Sequence, residues 1–215
     1  YIAGSEVTLE GLLDGGRLTV LALFDKPDPL DGPFFEETIY VTPSRLPRAR
    51  QEEISDCCQR AADALGLVEG PVHAEIRISS DGPVVIELAA RTIGGLCSRT
   101  LRFGTGLSLE EIVIYHALRR DIPSLRRESL AAGVMMLPTP RVGVLDTVTG
   151  QDAARAVPGI EEVTITAHSG QRLLPLPEGH RYLGFVFARG DDPAGVEAAL
   201  RHAAAALDVV YGPES

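Results

Sequence analysis

VHAEIRISSDGPVVIELAAR, which spans Val72–Arg91, carries the strongest indication of the fold in this sequence. From Val72 to Ile78 apolar residues alternate with polar ones, which is the two-residue period of a strand with one buried face. The turn-forming segment Ser79–Gly82 comes next, and a second apolar run begins directly after it. The stretch therefore predicts a β-hairpin.

Two glutamates, Glu75 and Glu87, lie on the two predicted strands of this hairpin. Folding the hairpin about Asp81 brings them opposite, or nearly opposite, each other, with Cβ atoms about 5 Å apart. Like charges at that distance repel, so a shared proton, a bridging arginine or a divalent cation has to offset the repulsion. On the hairpin alone, both can also be solvent-facing residues that pair with Arg77 or Arg91.

Length, charge and cysteine content limit the class of protein. A chain of 215 residues can bury a sizeable core, and no apolar run is long enough to cross a bilayer. The formal net charge of −10 argues against a nucleic-acid-binding surface. The three cysteines suggest neither a disulfide framework nor a zinc site. We therefore expect a cytoplasmic protein with no nucleic-acid partner and no membrane partner.

Further elements are predicted on both sides of the glutamate hairpin. Asp14-Gly15-Gly16 predicts a tight turn between two strands, and Phe34–Val41 a further short strand. Helical spacing over Gln51–Leu65 predicts an amphipathic helix. Its expected buried face consists of Ile54, Cys57, Ala61 and Leu65. Ser108 and Glu111 form a capping-box pattern at the start of another helix.

The last third of the chain also mixes strands with helices. Strands are predicted at residues 131–137, 162–167 and 182–188, and helices at residues 151–157 and from Asp191-Asp192-Pro193 to Leu207. Because hairpins and helices do not alternate as βαβ units, the predicted fold class is α+β.

Four motifs, in their order along the chain, resemble those of one family. H-A-E-I-R and I-E-L-A-A-R, which contain Glu75 and Glu87, resemble the metal-binding hairpin of the ATP-grasp superfamily. Y-I-A-G-S-E-V-T-L-E-G at the start resembles the strand after the nucleotide hinge. F-F-E-E-T-I-Y-V-T-P-S, from Phe34, resembles the substrate-side strand of the carboxylate–amine ligases, particularly the L-amino-acid (dipeptide) ligases. The resemblance covers roughly residues 1–120.

The resemblance implies a domain organisation. Residues 1–125 would form the C-terminal part of an ATP-grasp domain, mainly an antiparallel sheet with flanking helices, and residues 126–215 a smaller α+β lobe. The adenine hinge, the phosphate-clamping lysine and the glycine-rich loop of the family would lie before Tyr1. We therefore expect these residues on their own to bind ATP poorly and to show no turnover.

The resemblance also implies an activity: an ATP- and Mg²⁺-dependent ligase that joins a carboxylate to an amine through an acyl phosphate. Glu75 and Glu87 would hold Mg²⁺, with Mn²⁺ as a substitute. Arg91, the implied catalytic residue, would bind the acyl phosphate or the substrate carboxylate, because its planar fork suits both anions. The substrates would be amino acids or related small acids, and a homodimer is compatible with the family.

Further residues acquire roles through the same resemblance. Glu37 would bind the amine substrate, although a register slip of one residue would exchange it with Glu36. Glu6 would lie near the ribose of the nucleotide. Lys26 would approach the phosphates or the substrate, with a surface ion pair to Asp25 or Asp28 as the alternative.

The glycine-rich segment after Arg91 is also assigned to substrate binding by the resemblance. Gly95 stands where some dipeptide ligases carry a bulky aromatic group, so Gly94 and Gly95 would leave room for a larger second substrate. Both glycines can instead simply mark a turn. Ala89 replaces an asparagine that many ATP-grasp enzymes use as a metal ligand, so the metal shell would rely more on phosphate and water.

Two alternative functions remain open on the sequence. One is a biotin-carboxylase-like or carbamoyl-phosphate-synthase-like enzyme that activates bicarbonate. The other is a non-catalytic binding or dimerisation module with a relict site. The I-E-L-A-A-R and F-E-E-T motifs favour the amino-acid ligases over the first, and the presence of both glutamates and Arg91 argues against the second.

Overall fold

The computed structural model describes residues 2–29, 36–179 and 181–213. Its strands are β1 (Ser5–Asp14), β2 (Arg17–Asp25), β3 (Ile39–Thr42), β4 (Gly70–Ser79), β5 (Gly82–Ala89), β6 (Ala131–Leu137), β7 (Gly143–Thr149), β8 (Ile160–Ile165), β9 (Arg172–Leu173), β10 (Gly184–Gly190) and β11 (Asp208–Tyr211). Its α-helices are α1 (Arg48–Ala64), α2 (Leu109–Ala117), α3 (Gln151–Arg155) and α4 (Pro193–Ala205). The α+β class is confirmed. None of the helices in the described ranges has the length and apolar character needed to cross a bilayer.

The chain divides into two compact units. The first consists of Tyr1–Lys26 and Thr42–Ser129, and the second of Pro27–Val41 and Leu130–Ser215. The division into domains at residue 125 stays a prediction. The strand expected at Phe34–Val41 is observed only as β3: residues 36–38 are not in a strand, and Phe34 and Phe35 lie outside the described residues.

The first unit is built on antiparallel strands in the order β5-β4-β1-β2. The predicted turn between β1 and β2 is present, and its central residues, Gly15 and Gly16, have φ angles of 56° and 84°. Two successive positive φ angles are what a two-residue hairpin turn requires, and glycine adopts them without strain. The residues of the turn alone were therefore enough to predict this hairpin.

The β4–β5 hairpin contains a β-bulge that determines which residues face each other. From Ser79↔Gly82 to Ile76↔Val85 the pairing is regular, and it then shifts so that Glu75 pairs with Glu87. Continuing the regular register would have placed Ile86 opposite Glu75. Ile86 is the extra residue, and bulges of this kind commonly re-aim side chains beside functional sites.

Helix α1 buries a different stripe from the predicted one. The buried residues are Ile54, Cys58 and Ala62, whereas Leu65 lies beyond the helix with 62% of its surface exposed. The predicted face through Cys57 was therefore wrong. Steps of three and four residues are both compatible with a 3.6-residue period, so the sequence left two adjacent stripes open.

The second unit contains strands in the order β3-β6-β10-β8, with β10 antiparallel to both β6 and β8. A separate small sheet has the order β11-β7-β9. Helix α4 packs against this unit through an apolar cluster that includes Val196, Leu200 and Ala203. Its predicted N-cap is confirmed, because the Asp192 side chain accepts hydrogen bonds from the backbone N–H groups of residues 194 and 195. The small sheet was not predicted.

Candidate active site

One face of the first unit's sheet is polar where β1 pairs with the glutamate hairpin. Alternation along β1 puts Glu6, Thr8 and Glu10 on the same face, and their partners on β4 are respectively Arg77, Glu75 and His73. The opposite face carries an apolar cluster with α1. The prediction of one buried face was wrong for β4, because His73 and Arg77 are only 4% and 5% exposed.

Glu6 lies between two cations on this face. Lys26 Nζ is 2.5 Å from Glu6 Oε1, and Arg77 Nε is 2.8 Å from Glu6 Oε2. All three side chains are nearly inaccessible to solvent. Both oxygens of Glu6 are thus engaged within the protein, and its role near the ribose stays a prediction.

Lys26 also contacts one of the two predicted metal ligands. Its Nζ atom is 3.3 Å from Glu75 Oε1, so this lysine faces the polar surface of the sheet. The alternative of a surface ion pair with Asp25 or Asp28 is wrong, because the Lys26 side chain is 3% exposed. Asp25 instead binds Arg45, at 2.8 Å. Contact with the phosphates or substrate stays a prediction for Lys26.

Glu75 and Glu87 are directly opposed, as the hairpin predicted. In this structure Lys26 beside Glu75 and Arg91 beside Glu87, with Arg91 Nη2 3.2 Å from Glu87 Oε1, offset the repulsion between the two carboxylates. Arg91 and Glu87 are each about half exposed, so an incoming cation or anion can reach them.

The donor set at this position suits a hard divalent cation. Two opposed carboxylates provide only oxygen ligands, which Mg²⁺ and Mn²⁺ prefer, and phosphate and water can complete such a shell. Thr8, the residue on β1 opposite Glu75, adds a fully buried hydroxyl oxygen without a hydrogen-bond partner among the described residues. The residues present therefore fit a magnesium site, and the assignment of Glu75 and Glu87 as its ligands stays a prediction.

Glu10 is a central residue that the sequence analysis missed. It is 1% exposed, its Oε1 contacts His73 Nδ1, and its Oε2 accepts a hydrogen bond of 3.0 Å from the Ile93 N–H. Burial raises the pKa of Glu10, although His73, the Ile93 N–H and the charge of Arg91 act in the opposite direction. The alternation of Glu6, Thr8 and Glu10 on one strand was the signal that could have revealed it.

His73 joins Glu10 to Glu75. Its Nδ1 contacts Glu10, and its Nε2 is 3.7 Å from Glu75 Oε1, an ion-pair distance. Burial lowers the pKa of His73, but its contacts with the two carboxylates outweigh this and raise the pKa to about 9. His73 therefore lies between two glutamates, both of which favour its protonated form.

The glycine-rich segment after Arg91 is irregular. A side chain at Gly94 would meet no described atom within 4 Å, and Gly95 has a φ angle of 60°. A short 3₁₀ helix follows at Cys97–Thr100. Glu37 lies half-buried in the second unit, two residues before β3. Substrate contacts of Gly94, Gly95 and Glu37 stay predictions.

Comparisons with known proteins agree with this arrangement. A family model described as the ATP-grasp domain matches residues 1–100, and a model described as L-amino acid ligase C-terminal domain 2 matches residues 135–212. The first match contains the polar face and the glutamate hairpin. The second contains most of the second unit.

Individual proteins are similar to the chain over part of their length. Carnosine synthase 1 from Gallus gallus is 32% identical over 141 residues, which are 64% of this chain and 15% of that protein. Alanine–anticapsin ligase from Bacillus subtilis (strain 168) is 28% identical over 109 residues, which are 50% of this chain and 22% of that protein.

A solved structure gives a match over nearly the whole chain. The L-amino acid ligase from Bacillus licheniformis superposes with a TM-score of 0.86 at 28% identity, over 99% of this chain and 53% of that one. The chain thus spans about half of this ligase and less than a quarter of the two named relatives. With both family models and this superposition in agreement, the chain belongs to the ATP-grasp superfamily, and its fold is similar to that of an L-amino acid ligase over nearly its whole length.

Proposed function

We propose that the protein containing this chain is an ATP-dependent ligase that joins a carboxylate to an amine. The observation that carries the proposal is the direct opposition of Glu75 and Glu87 across the β4–β5 hairpin of an ATP-grasp domain. The match to an L-amino acid ligase C-terminal domain favours amine ligation over bicarbonate activation.

The proposed reaction has two steps. A carboxylate oxygen of the first substrate attacks the γ-phosphorus of ATP, so that an acyl phosphate forms and ADP leaves. The amine nitrogen of the second substrate then attacks the acyl carbon, phosphate leaves, and the nitrogen loses a proton to give the amide. A Mg²⁺ ion, or Mn²⁺, bound by Glu75 and Glu87 would neutralise charge on the phosphates.

The chain's own residues have distinct parts in this proposal. Arg91 presents a half-exposed guanidinium, which suits bidentate binding of the acyl phosphate or a substrate carboxylate. Lys26 balances the charge of Glu75 from 3.3 Å. Glu6 holds Lys26 in that position. If Glu6 lies near the ribose, as the resemblance implies, its contribution there would be to fix the position of Lys26.

The substrates are proposed to be amino acids or related small acids. The named relatives are a carnosine synthase, an alanine–anticapsin ligase and an L-amino acid ligase, which supports this substrate class. Glu37 would bind the amine, and the open space beside Gly94 would accept a side chain of the second substrate. A cytoplasmic location and a homodimer stay predictions.

The test is phosphate release by the intact protein. We expect release with ATP, Mg²⁺ and amino-acid pairs but not with bicarbonate. We expect E75Q and E87Q to reduce the rate by more than the roughly 10–100-fold that changes around a metal ligand typically cost. E52Q is the matched control, since Glu52 is an exposed glutamate on α1 and should leave the rate unchanged.

Two outcomes would favour the alternative functions, and a third would contradict the proposed metal site. Phosphate release that is stimulated by bicarbonate alone would indicate a bicarbonate-activating enzyme. Nucleotide binding without release under any condition would favour a non-catalytic module. A normal Mg²⁺ response in E87Q would show that the opposed carboxylates are not the metal site.

A further inference from the structure

Glu10 is more completely enclosed than any predicted site residue. It is 1% exposed, and each carboxylate oxygen contacts a different part of the first unit. Oε1 contacts His73 on β4, and Oε2 accepts the N–H of Ile93, which lies after β5. A single side chain thus connects the hairpin with the segment that follows it.

The first connection leads to the metal site. The imidazole of His73, fixed at Nδ1 by Glu10, places its Nε2 3.7 Å from Glu75 Oε1. Side chains that contact metal ligands orient those ligands, and removing them weakens metal binding even though they do not touch the metal. Glu10 therefore influences Glu75 through His73.

The second connection leads to the substrate segment. Ile93 is two residues from Arg91 and directly precedes Gly94. The hydrogen bond from its N–H, at 3.0 Å, fixes the backbone where this segment leaves β5. Arg91 itself is half exposed, whereas the hydrogen bond at Ile93, two residues away, is buried and holds the backbone in place.

Stability alone gives a weak reason for a buried glutamate at this position. Buried charged pairs contribute little net stability compared with well-packed apolar residues of similar size. We propose that Glu10 is a positioning residue that couples the metal-binding carboxylate Glu75, through His73, to the segment that carries Arg91 and Gly94. This inference rests on the proposed metal role of Glu75.

The two connections can be removed separately in the intact protein. H73F removes the first, E10M removes both, and E10Q retains a side-chain oxygen that can accept a hydrogen bond. V7A is the control, because Val7 is a buried residue on the other face of the same strand. Three readouts are needed: Mn²⁺ affinity in the presence of ATP, the KM for the amino acid acting as amine, and the unfolding midpoint.

We expect H73F to weaken Mn²⁺ binding by about 10–100-fold and to leave the amine KM near the wild-type value. E10M should weaken Mn²⁺ binding to a similar extent and also raise the amine KM, and E10Q should recover part of both losses. Adding H73F to E10M should cause no further loss of Mn²⁺ affinity, because both changes act on the same connection. V7A should lower the unfolding midpoint only.

Contrary results are equally clear. Wild-type Mn²⁺ affinity in folded E10Q and H73F, or an E10M variant that resembles V7A, would overturn the coupling role. If E10M fails to fold, E10Q and H73F still decide the question. If wild-type protein binds Mn²⁺ with ATP but releases no phosphate with any amino-acid pair, the proposed ligase reaction fails, while the Mn²⁺ titrations still test Glu10.

Discussion

Replacing Arg77 by methionine should destabilise the first unit far more than removing a surface arginine. Arg77 Nε is 2.8 Å from Glu6 Oε2, and both side chains are about 95% inaccessible. Its Nη1 also donates to the Gly4 carbonyl at 2.9 Å. Removing one partner of a buried pair typically costs about 3–5 kcal/mol, because the remaining charge is left without compensation.

The lower end of that range applies at this position. Lys26 remains 2.5 Å from the other oxygen of Glu6, so the carboxylate keeps one cation. We therefore expect R77M to lower the free energy of unfolding by about 3 kcal/mol. With a urea m-value of about 2 kcal/mol/M, this loss corresponds to a shift in the unfolding midpoint of about 1.5 M.

Urea unfolding of wild type, R77M and R48M provides the assay. Arg48 is the matched control, because its ion pair with Glu52 is 2.8 Å long but its side chain is 93% exposed. Exposed pairs of this kind contribute at most about 1 kcal/mol. The double variant E6M/R77M should recover part of the loss, since it leaves no unpaired carboxylate. A shift in the midpoint of R77M no larger than that of R48M would show that burial does not raise the cost of losing this ion pair.

Three other predictions follow from groups elsewhere in the chain. The pKa of His73 is raised from 6.5 to about 9, so protonated His73 stabilises the folded state. Urea unfolding without metal should therefore show wild type more stable than H73F, with the full difference below about pH 6.5 and its loss as the pH rises through about 9. A difference that does not change with pH would contradict this. Burial, with a smaller effect of Cys57, raises the pKa of Cys58 to about 12. A thiol reagent at about pH 8 should therefore modify half-buried Cys57 before Cys58, as detected by mass spectrometry, and the reverse order would contradict this. G133A should lower the free energy of unfolding by about 1–3 kcal/mol, because a Cβ at this position would lie only 2.9 Å from Val196 Cγ1. A thermal melt measures the effect, and an unchanged melting temperature would show that the neighbouring side chains move to accommodate the Cβ.

Local signals predicted the elements that the sequence specifies by itself. The Gly15-Gly16 turn, the capping box of Ser108 and Glu111, and the Asp192 cap all depend on residues within a few positions of each other. The strand at residues 131–137 was also located correctly, because a continuous apolar run marks a buried strand.

Features that depend on distant pairing were not predicted. Glu10 meets His73 because β1 pairs with β4, and the alternation of polar residues along β1 does not identify a partner 63 residues away. The strands of the small β11-β7-β9 sheet include one of only two residues, β9, which is too short for a periodic signal. The opposition of Glu75 and Glu87 was predicted, but the bulge that produces it was not.

The extra residue at Ile86 links the length of the hairpin to its chemistry. Across a two-residue turn with a regular ladder, facing residues are separated by an odd number of positions, as for Ile76 and Val85. Glu75 and Glu87 are separated by an even number, and only the bulge reconciles that spacing with their opposition. An insertion or deletion within the paired strands, between the turn and the glutamates, must therefore be compensated by a second length change for both carboxylates to keep facing each other, whereas a length change in the turn alone alters only the spacing between them. Among natural variants of this hairpin, turn length and glutamate spacing should vary together.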